Sequence, residues 1–134
     1  MREINKIIIH CSATPPTSDI GAFQIDEWHK KQGWSGIGYH FVIRRNGEIE
    51  NGRPVEVTGA HCQGQNRDSI GICLVGGIDA GGRPQNNFTD AQFASLRRLV
   101  LELKEKYHIS YIFGHNEFAN KACPCFDVQE FFKE

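Results

Sequence analysis

Two histidines and a cysteine occupy positions in this chain where they could bind a metal ion. His10 follows three isoleucines at residues 7–9, and His115 follows a second short apolar run at residues 111–114. Cys123 comes eight residues after His115. Short runs rich in β-branched and aromatic residues are typical of buried strands, so both histidines are predicted at strand ends. Two histidines and a thiolate are three zinc ligands, and a water in the fourth position is typical of a hydrolytic site.

The spacing alone leaves other interpretations of these residues open. A histidine after an apolar run is more often a hydrogen-bonded structural residue than a metal ligand. Cys123 and Cys125 flank Pro124, so either thiol could complete the set. Cys11 is predicted to point away from His10, because successive side chains of a strand alternate between its two faces.

Glu117 raises the alternative of a zinc deaminase. In that class a His-x-Glu segment is followed by Pro-Cys-x-x-Cys, and the glutamate shuttles protons. Here Pro124-Cys125 is not followed by a second cysteine three residues later. The cysteines also follow His115 too closely to come from a separate helix. The pattern therefore argues against a deaminase.

The composition is typical of one small globular enzyme domain. The 134 residues carry 15 Lys and Arg against 16 Asp and Glu, and the net charge of -1 argues against a nucleic-acid partner. Five cysteines is an odd number without paired spacing, which favours a reducing cytoplasm over a disulfide framework. The sequence has neither a signal-peptide pattern nor an apolar stretch of bilayer length, so we expect a cytoplasmic protein without membrane insertion.

Strand and helix patterns alternate along the chain. Asn46-Gly47 is a strong signal for a hairpin turn, and Thr89 with Gln92 forms a capping box at the start of the best helix. The predicted strands cover residues 6–10, 41–45, 48–51, 69–75 and 111–114, and the predicted helices cover residues 22–32, 126–132 and a long segment that begins at residue 89. A hairpin within an alternating pattern predicts an α/β fold with a mixed central β-sheet flanked by helices. Residues 111–114 are predicted as its last central strand.

Eight short segments, in order along the chain, resemble a known family. They are His10-Cys11-Ser12-Ala13-Thr14, Trp28-His29-Lys30, Gly33-Trp34, Gly38-Tyr39-His40-Phe41, Gly59-Ala60-His61, Asn66, Ser69-Ile70-Gly71-Ile72 and Lys121-Ala122-Cys123-Pro124. Together they resemble the type 2 N-acetylmuramoyl-L-alanine amidases, which include the amidase-type lysozymes of podoviruses and the animal peptidoglycan recognition proteins. The resemblance covers residues 4–126 and is strongest to the phage branch, through residues 75–79 and 121–124. The family fold is a mixed sheet with helices on its faces.

The resemblance implies a zinc-dependent amidase that hydrolyses the amide between the lactyl group of muramic acid and the first L-alanine of peptidoglycan. It places the ligands of one Zn2+ per chain at His10, His115 and Cys123, and two catalytic positions at Tyr39 and Lys121. Lys121 stands two residues before a ligand, so its ammonium group could stabilise the oxyanion formed in the reaction. The phenol of Tyr39 is a poor base, with a reference pKa of about 10. We therefore expect it to orient the attacking water or stabilise the intermediate, and a proton-relay role stays open.

The same resemblance implies that His61 and Asn66 bind the substrate, because the matching positions of the recognition proteins line the groove for glycan and peptide. Without the resemblance, both would be interpreted as ordinary loop residues. Trp34 is expected in the core rather than at the border of that groove. Cys125 has no counterpart thiol in the family, and it could be an alternative ligand or an oxidisable partner of Cys123.

The expected role is that of a phage or prophage endolysin that acts on peptidoglycan as a monomer with one catalytic domain, residues 1–134. We expect it to be made in the host cytoplasm and to reach the wall through a holin or after membrane permeabilisation. A bacterial cell-wall recycling amidase and a non-catalytic peptidoglycan-binding protein are the alternatives. In phage members of the family, an N-terminal arm also contacts RNA polymerase. Only nine residues precede His10 here, so that second partner stays in question.

Overall fold

Five strands and three α-helices make up the described part of the chain. The structure is a computed structural model that describes residues 2–133. The elements in chain order are β1 (Lys6–Cys11), α1 (Ala22–Lys31), β2 (Phe41–Ile43), β3 (Ile49–Asn51), β4 (Ser69–Leu74), α2 (Asp90–Tyr107), β5 (Tyr111–Gly114) and α3 (Val128–Phe131). Short 3-10 turns at Asn66–Asp68 and His115–Glu117 precede β4 and follow β5. None of the described helices has the length and apolar character that a membrane span requires.

The strands form one sheet in the order β3-β2-β4-β1-β5. β1 pairs in parallel with β4 and β5, β2 pairs in parallel with β4, and β3 runs antiparallel to β2. This arrangement confirms the predicted mixed sheet flanked by helices. The prediction that residues 111–114 form a central strand is wrong, because β5 lies at the edge of the sheet. After β5 the chain continues into a 3-10 turn, a loop and α3, and no later segment among residues 2–133 pairs with β5 as a further strand.

The predicted hairpin turn at Asn46-Gly47 and the predicted capping box at Thr89 are both confirmed. Gly47 has a φ of +90°, which glycine adopts without steric cost, and its N–H donates to the Arg44 carbonyl at 2.8 Å. At the start of α2, the Thr89 hydroxyl accepts from the Gln92 N–H at 3.1 Å, and the Gln92 side chain accepts from the Thr89 N–H at 2.9 Å. The hairpin strands are shorter than predicted, with three residues each, because the chain already turns at Arg44.

The main core lies between α2 and one face of the sheet. Its buried members include alternate isoleucines of β1 and one side of α2, namely Ile7, Ile9, Leu96, Leu99, Val100 and Leu103. Because side chains alternate along a strand, Ile8 and His10 point to the opposite face. On that face α1 packs through Ile25 against Val42 and Cys73 of β2 and β4. The part nearer β1 and β5 is covered by loops, and it carries the candidate site.

Candidate metal centre

His10, His115 and Cys123 come together at the carboxyl end of β1. In the parallel pair of β1 and β5, Ile9 is opposite Gly114, so the residues that follow, His10 and His115, are neighbours. Their ring centroids are 4.5 Å apart. The metal-binding atoms of His10, His115 and Cys123 all lie within 4.8 Å of one another. The three residues singled out from the sequence therefore form one cluster.

Two features of these histidines fit a metal ion. The Nδ1 atom of His115 is buried and has no hydrogen-bond partner among residues 2–133. Such an unsatisfied atom costs about 1–3 kcal/mol, and a bound cation would remove that cost. Burial lowers the pKa of His10 well below its usual value and also lowers the pKa of His115. Both imidazoles are therefore neutral at pH 7, which is the form that binds zinc.

The Cys123 thiol has the surroundings of a ligand, whereas Cys125 does not. Cys123 Sγ accepts a hydrogen bond from the backbone N–H of Cys11 at 3.1 Å, and it lies in the cluster with the ring nitrogens of His10 and His115. Cys125 Sγ instead donates to the Gly77 carbonyl at 3.2 Å, and burial raises the pKa of Cys125 to about 11. Of the two thiols that flank Pro124, the geometry favours Cys123.

A groove of about 500 Å³ opens beside this cluster. Its lining residues include Trp34, His61, Asn66, His115, Phe118 and Lys121. The Lys121 side chain is exposed, and its charge is close enough to lower the pKa of both His10 and His115. The expectation that Trp34 lies in the core is wrong, because its residue surface is 40% exposed at the groove wall. Trp34 directly follows Gly33, whose φ of +94° turns the chain away from α1.

Comparison with known proteins places this geometry in a family. Residues 1–126 match the family model described as N-acetylmuramoyl-L-alanine amidase. The chain belongs to the N-acetylmuramoyl-L-alanine amidase family. The match covers both histidines and the cysteine of the cluster, together with Tyr39 and Lys121.

Individual amidases and endolysins are similar to this amidase family member over nearly its full length. The endolysin of Klebsiella phage KP32 is 48% identical over 133 residues, which cover 99% of this chain and 88% of that protein. The endolysin of Escherichia phage T7 is 48% identical over 128 residues, covering 96% and 85%. Among solved structures, the amidase LysC from Clostridium intestinale URNW is 34% identical, with a TM-score of 0.84 over 97% of this chain and 83% of that one. The resemblance to phage amidases is thereby confirmed.

Tyr39 lies next to the candidate ligand His10. The two ring centroids are 5.1 Å apart, and the ring of His29 lies 5.5 Å from Tyr39 on another side. Burial, followed by the nearby thiol of Cys73, raises the pKa of Tyr39 well above its usual value. The phenol therefore keeps its proton and can donate a hydrogen bond, as the orienting role would require.

His61 and Asn66 lie in the wall of the groove and are hydrogen-bonded to the protein itself. His61 Nδ1 is 2.8 Å from Nε2 of His10. Asn66 Oδ1 accepts from the backbone N–H groups of His61 at 2.8 Å and Cys62 at 2.9 Å. Both residues thus fix the loop before β4. Their predicted contact with substrate stays a prediction.

Glu117 is occupied in a structural role. Its carboxylate accepts from the Gly114 N–H at 2.7 Å and from the Gln129 side chain at 3.2 Å. The first bond caps the 3-10 turn that begins at His115, and the second ties this turn to α3. A carboxylate held in this way is not aimed at the groove as a proton shuttle, which agrees with the argument against a deaminase.

Two buried polar residues under the site were not singled out from the sequence. Ser69 is fully buried at the start of β4, and its Oγ lies 3.2 Å from Nε2 of His61. His40 is also buried, and its Nδ1 accepts from the Gly71 N–H at 3.0 Å. Buried polar groups are nearly always hydrogen-bonded, so a serine or histidine in a predicted buried segment signals a network. The sequence does not identify the partners.

Proposed function

We propose that this protein is a zinc-dependent N-acetylmuramoyl-L-alanine amidase that acts as a phage or prophage endolysin. The bond it cuts is the amide between the lactyl group of muramic acid and the first L-alanine of the stem peptide. The observation that carries the proposal is the meeting of His10, His115 and Cys123 beside a groove that Lys121 also lines. Family membership supports the reaction, and the endolysin relatives support the role.

His10, His115 and Cys123 would hold one zinc ion per chain through two imidazole nitrogens and a thiolate. When bound there, zinc would lower the pKa of a water molecule toward about 7 and polarise the lactyl carbonyl. Three protein ligands are typical of catalytic zinc sites, whereas structural sites are closed by four. The donor set therefore suits hydrolysis better than a purely structural metal.

Lys121 stabilises the negative charge that develops on the carbonyl oxygen during attack. It lies at the edge of the groove, two residues before Cys123, and its side chain is exposed toward solvent. One preorganised donor at an oxyanion is typically worth about 100- to 1000-fold in rate. Tyr39 keeps its proton beside His10, and it orients the attacking water or donates to the intermediate.

The groove suits a substrate with sugar and peptide parts, and we propose peptidoglycan as its occupant. Trp34 and Phe118 expose aromatic surface along it, 40% and 37% respectively. Apolar walls with a few converging polar groups are typical of ligand-binding sites. We also propose that residues 1–134 act as a single catalytic domain and as a monomer.

Digestion of purified sacculi tests the reaction. An amidase releases L-alanine amino termini and creates no new reducing sugar ends, because the glycan strands stay intact. Both products are measured in the same digest, with and without a chelator. New reducing ends without free amino groups would identify a glycosidase and refute the proposal.

Expression in a Gram-negative host tests the delivery route, which we propose to run from the host cytoplasm through a holin or a permeabilised membrane. Active protein should accumulate without lysis when the chain is expressed alone. Chloroform, or co-expression of a holin, should then cause rapid lysis. Clearing by expression alone would contradict this route. Cut sacculi without lysis after permeabilisation would favour the recycling amidase instead.

A further inference from the structure

A chain of three hydrogen bonds runs from a backbone carbonyl to the candidate ligand His10. The Ser69 hydroxyl donates to the Gln65 carbonyl at 2.7 Å. Ser69 Oγ lies 3.2 Å from His61 Nε2, and His61 Nδ1 lies 2.8 Å from His10 Nε2. The bonds link the loop before β4, β4 itself and β1 beneath the groove.

The positions of the protons follow from the first of these bonds. A carbonyl oxygen only accepts, so the single hydroxyl proton of Ser69 is used on Gln65. Ser69 Oγ must then accept from His61, which places a proton on His61 Nε2. In the described structure His61 is buried without a hydrogen-bonded carboxylate, so it is neutral and its Nδ1 is an acceptor. His10 therefore donates through Nε2–H, and its lone pair is left on Nδ1.

Close packing keeps the His61 ring in this orientation. A Cβ atom at Gly71 would lie 2.6 Å from His61 Cγ, and one at Gly59 would lie 2.7 Å from His61 Cδ2. The ring meets His10 edge-on, with their planes at 89°. The backbone N–H of His61 is also fixed by Asn66. A larger residue at either glycine would displace the ring, so the glycine of β4 and the glycine of the preceding loop together fix its position.

We propose that His61, supported by Ser69, is a positioning residue that holds His10 in the tautomer whose Nδ1 is free to bind the metal. The inference rests on the zinc amidase function proposed above. It gives His61 a role other than substrate binding, because both ring nitrogens are used inside the protein and the residue is only 9% exposed. Partners of this kind orient histidine ligands, and their loss typically costs about 10- to 100-fold in metal affinity or activity.

The zinc affinity of metal-free protein, measured by competition with a chromophoric chelator, tests the inference without any assay of turnover. His61→Leu keeps the bulk but offers no acceptor, and we expect it to weaken zinc binding about 10- to 100-fold. His61→Asn places an amide oxygen near the position of Nδ1 and should restore part of the affinity. Ser69→Ala removes the acceptor for His61 Nε2–H together with the bond to the Gln65 carbonyl but leaves the His61 ring in place, so it should weaken zinc binding by a smaller factor than His61→Leu.

Ser95→Ala is the matched control for Ser69→Ala. Ser95 is buried in α2 and donates to the Gly47 carbonyl at 2.6 Å, which is the same kind of bond at a distance from the site. We expect both variants to lower the free energy of unfolding to a similar extent, and only Ser69→Ala to lower zinc affinity. Equal losses of zinc affinity in the two variants would mean that the loss comes from general destabilisation of the fold, and would overturn the proposal.

Long-range 1H–15N correlation spectra of metal-free protein report the tautomer of His10 directly. We expect the proton on Nε2 in the parent chain and a mixture of tautomers in His61→Leu; if that variant does not fold, Ser69→Ala decides by the same criteria. An unchanged tautomer together with unchanged zinc affinity would overturn the inference. A raised KM for sacculi without either change would return His61 to substrate binding. A parent chain that binds no zinc contradicts the proposed function, whereas the spectra still test the tautomer.

Discussion

One face of the sheet packs against α2 mainly through aliphatic side chains, whereas the other carries the histidines and the groove. On the first face, Ile9 and Leu96 are fully buried in one core cluster. On the second face, His10 bonds to His61, which lies 51 residues away in the sequence. Apolar burial is non-directional, whereas hydrogen bonds and metal ligands require specific atoms in specific places. Substitutions on the two faces should therefore change different measured quantities.

The largest expected effect is the loss of the proposed cysteine ligand, Cys123, on the second face. The parent chain should hold about one zinc ion, and Cys123→Ala should lose both the metal and the release of L-alanine termini. Cys125→Ser is the matched control, and it should keep both because its thiol is bonded to the Gly77 carbonyl. Metal content by elemental analysis and the sacculus assay check the pair. If the two variants exchange their behaviour, the ligand assignment is wrong.

The second effect separates the proposed catalytic groups from the proposed ligands on the same face. Lys121→Ala and Tyr39→Phe should each retain zinc and the folded structure. Each should lower the turnover of sacculi about 100- to 1000-fold, because one preorganised donor is removed in each case. Zinc content and kcat are measured on the same preparations. Unchanged turnover in Lys121→Ala would make Lys121 a solvated loop residue.

Much of the fold could be predicted because its signals are local. The run of three isoleucines at residues 7–9, which predicts β1, and the capping pair Thr89 and Gln92 act within a few residues of the chain. The order of strands is different, because it depends on how distant segments pack. For this reason the edge position of Tyr111–Gly114 was not predicted, although the strand itself was.

The candidate site could be predicted only in part for the same reason. His10 and His115 were found because each ends an apolar run, and family resemblance then selected Cys123 over Cys125. The contact between His10 and His61 has no local signal, since it depends on the loop before β4 folding back over β1. His61, which resembles a substrate-binding residue of the family, thus contacts the candidate ligand His10.

The third prediction concerns the first face. Leu96→Ala removes a fully buried side chain and should lower the free energy of unfolding by about 2–5 kcal/mol. Leu101 lies on the same helix but is 66% exposed, so Leu101→Ala should change stability by less than about 0.5 kcal/mol. Urea titrations measure both values. The zinc affinity of folded Leu96→Ala should equal that of the parent chain. A large loss of zinc affinity in that variant would mean that the two faces are coupled.

The smallest expected effect is a pH dependence of the free energy of unfolding, caused by His40 beneath the second face. Burial lowers the pKa of His40 to about 4, and the charges of Arg2 and Arg53 act in the same direction. The unfolded chain binds a proton at this residue below its reference pKa of about 6.5, whereas the folded chain does so only near 4. The stabilisation is therefore complete above about pH 6.5, and it is lost as the pH falls toward 4.

At pH 5 this loss should amount to about 2 kcal/mol relative to pH 7, at about 1.4 kcal/mol per pH unit. Urea unfolding of the metal-free protein at both pH values measures it, with His40→Gln as the comparison. The variant should be less stable at pH 7, because the His40 bonds to the Gly71 N–H and the Val57 carbonyl are lost. It should also lose less free energy of unfolding between pH 7 and pH 5. The difference between the losses of the two proteins isolates His40, because the other buried histidines are common to both. Equal losses in the two proteins would show that His40 has the same pKa in the folded and unfolded chains. This part of the second face would then be more hydrated than its burial indicates.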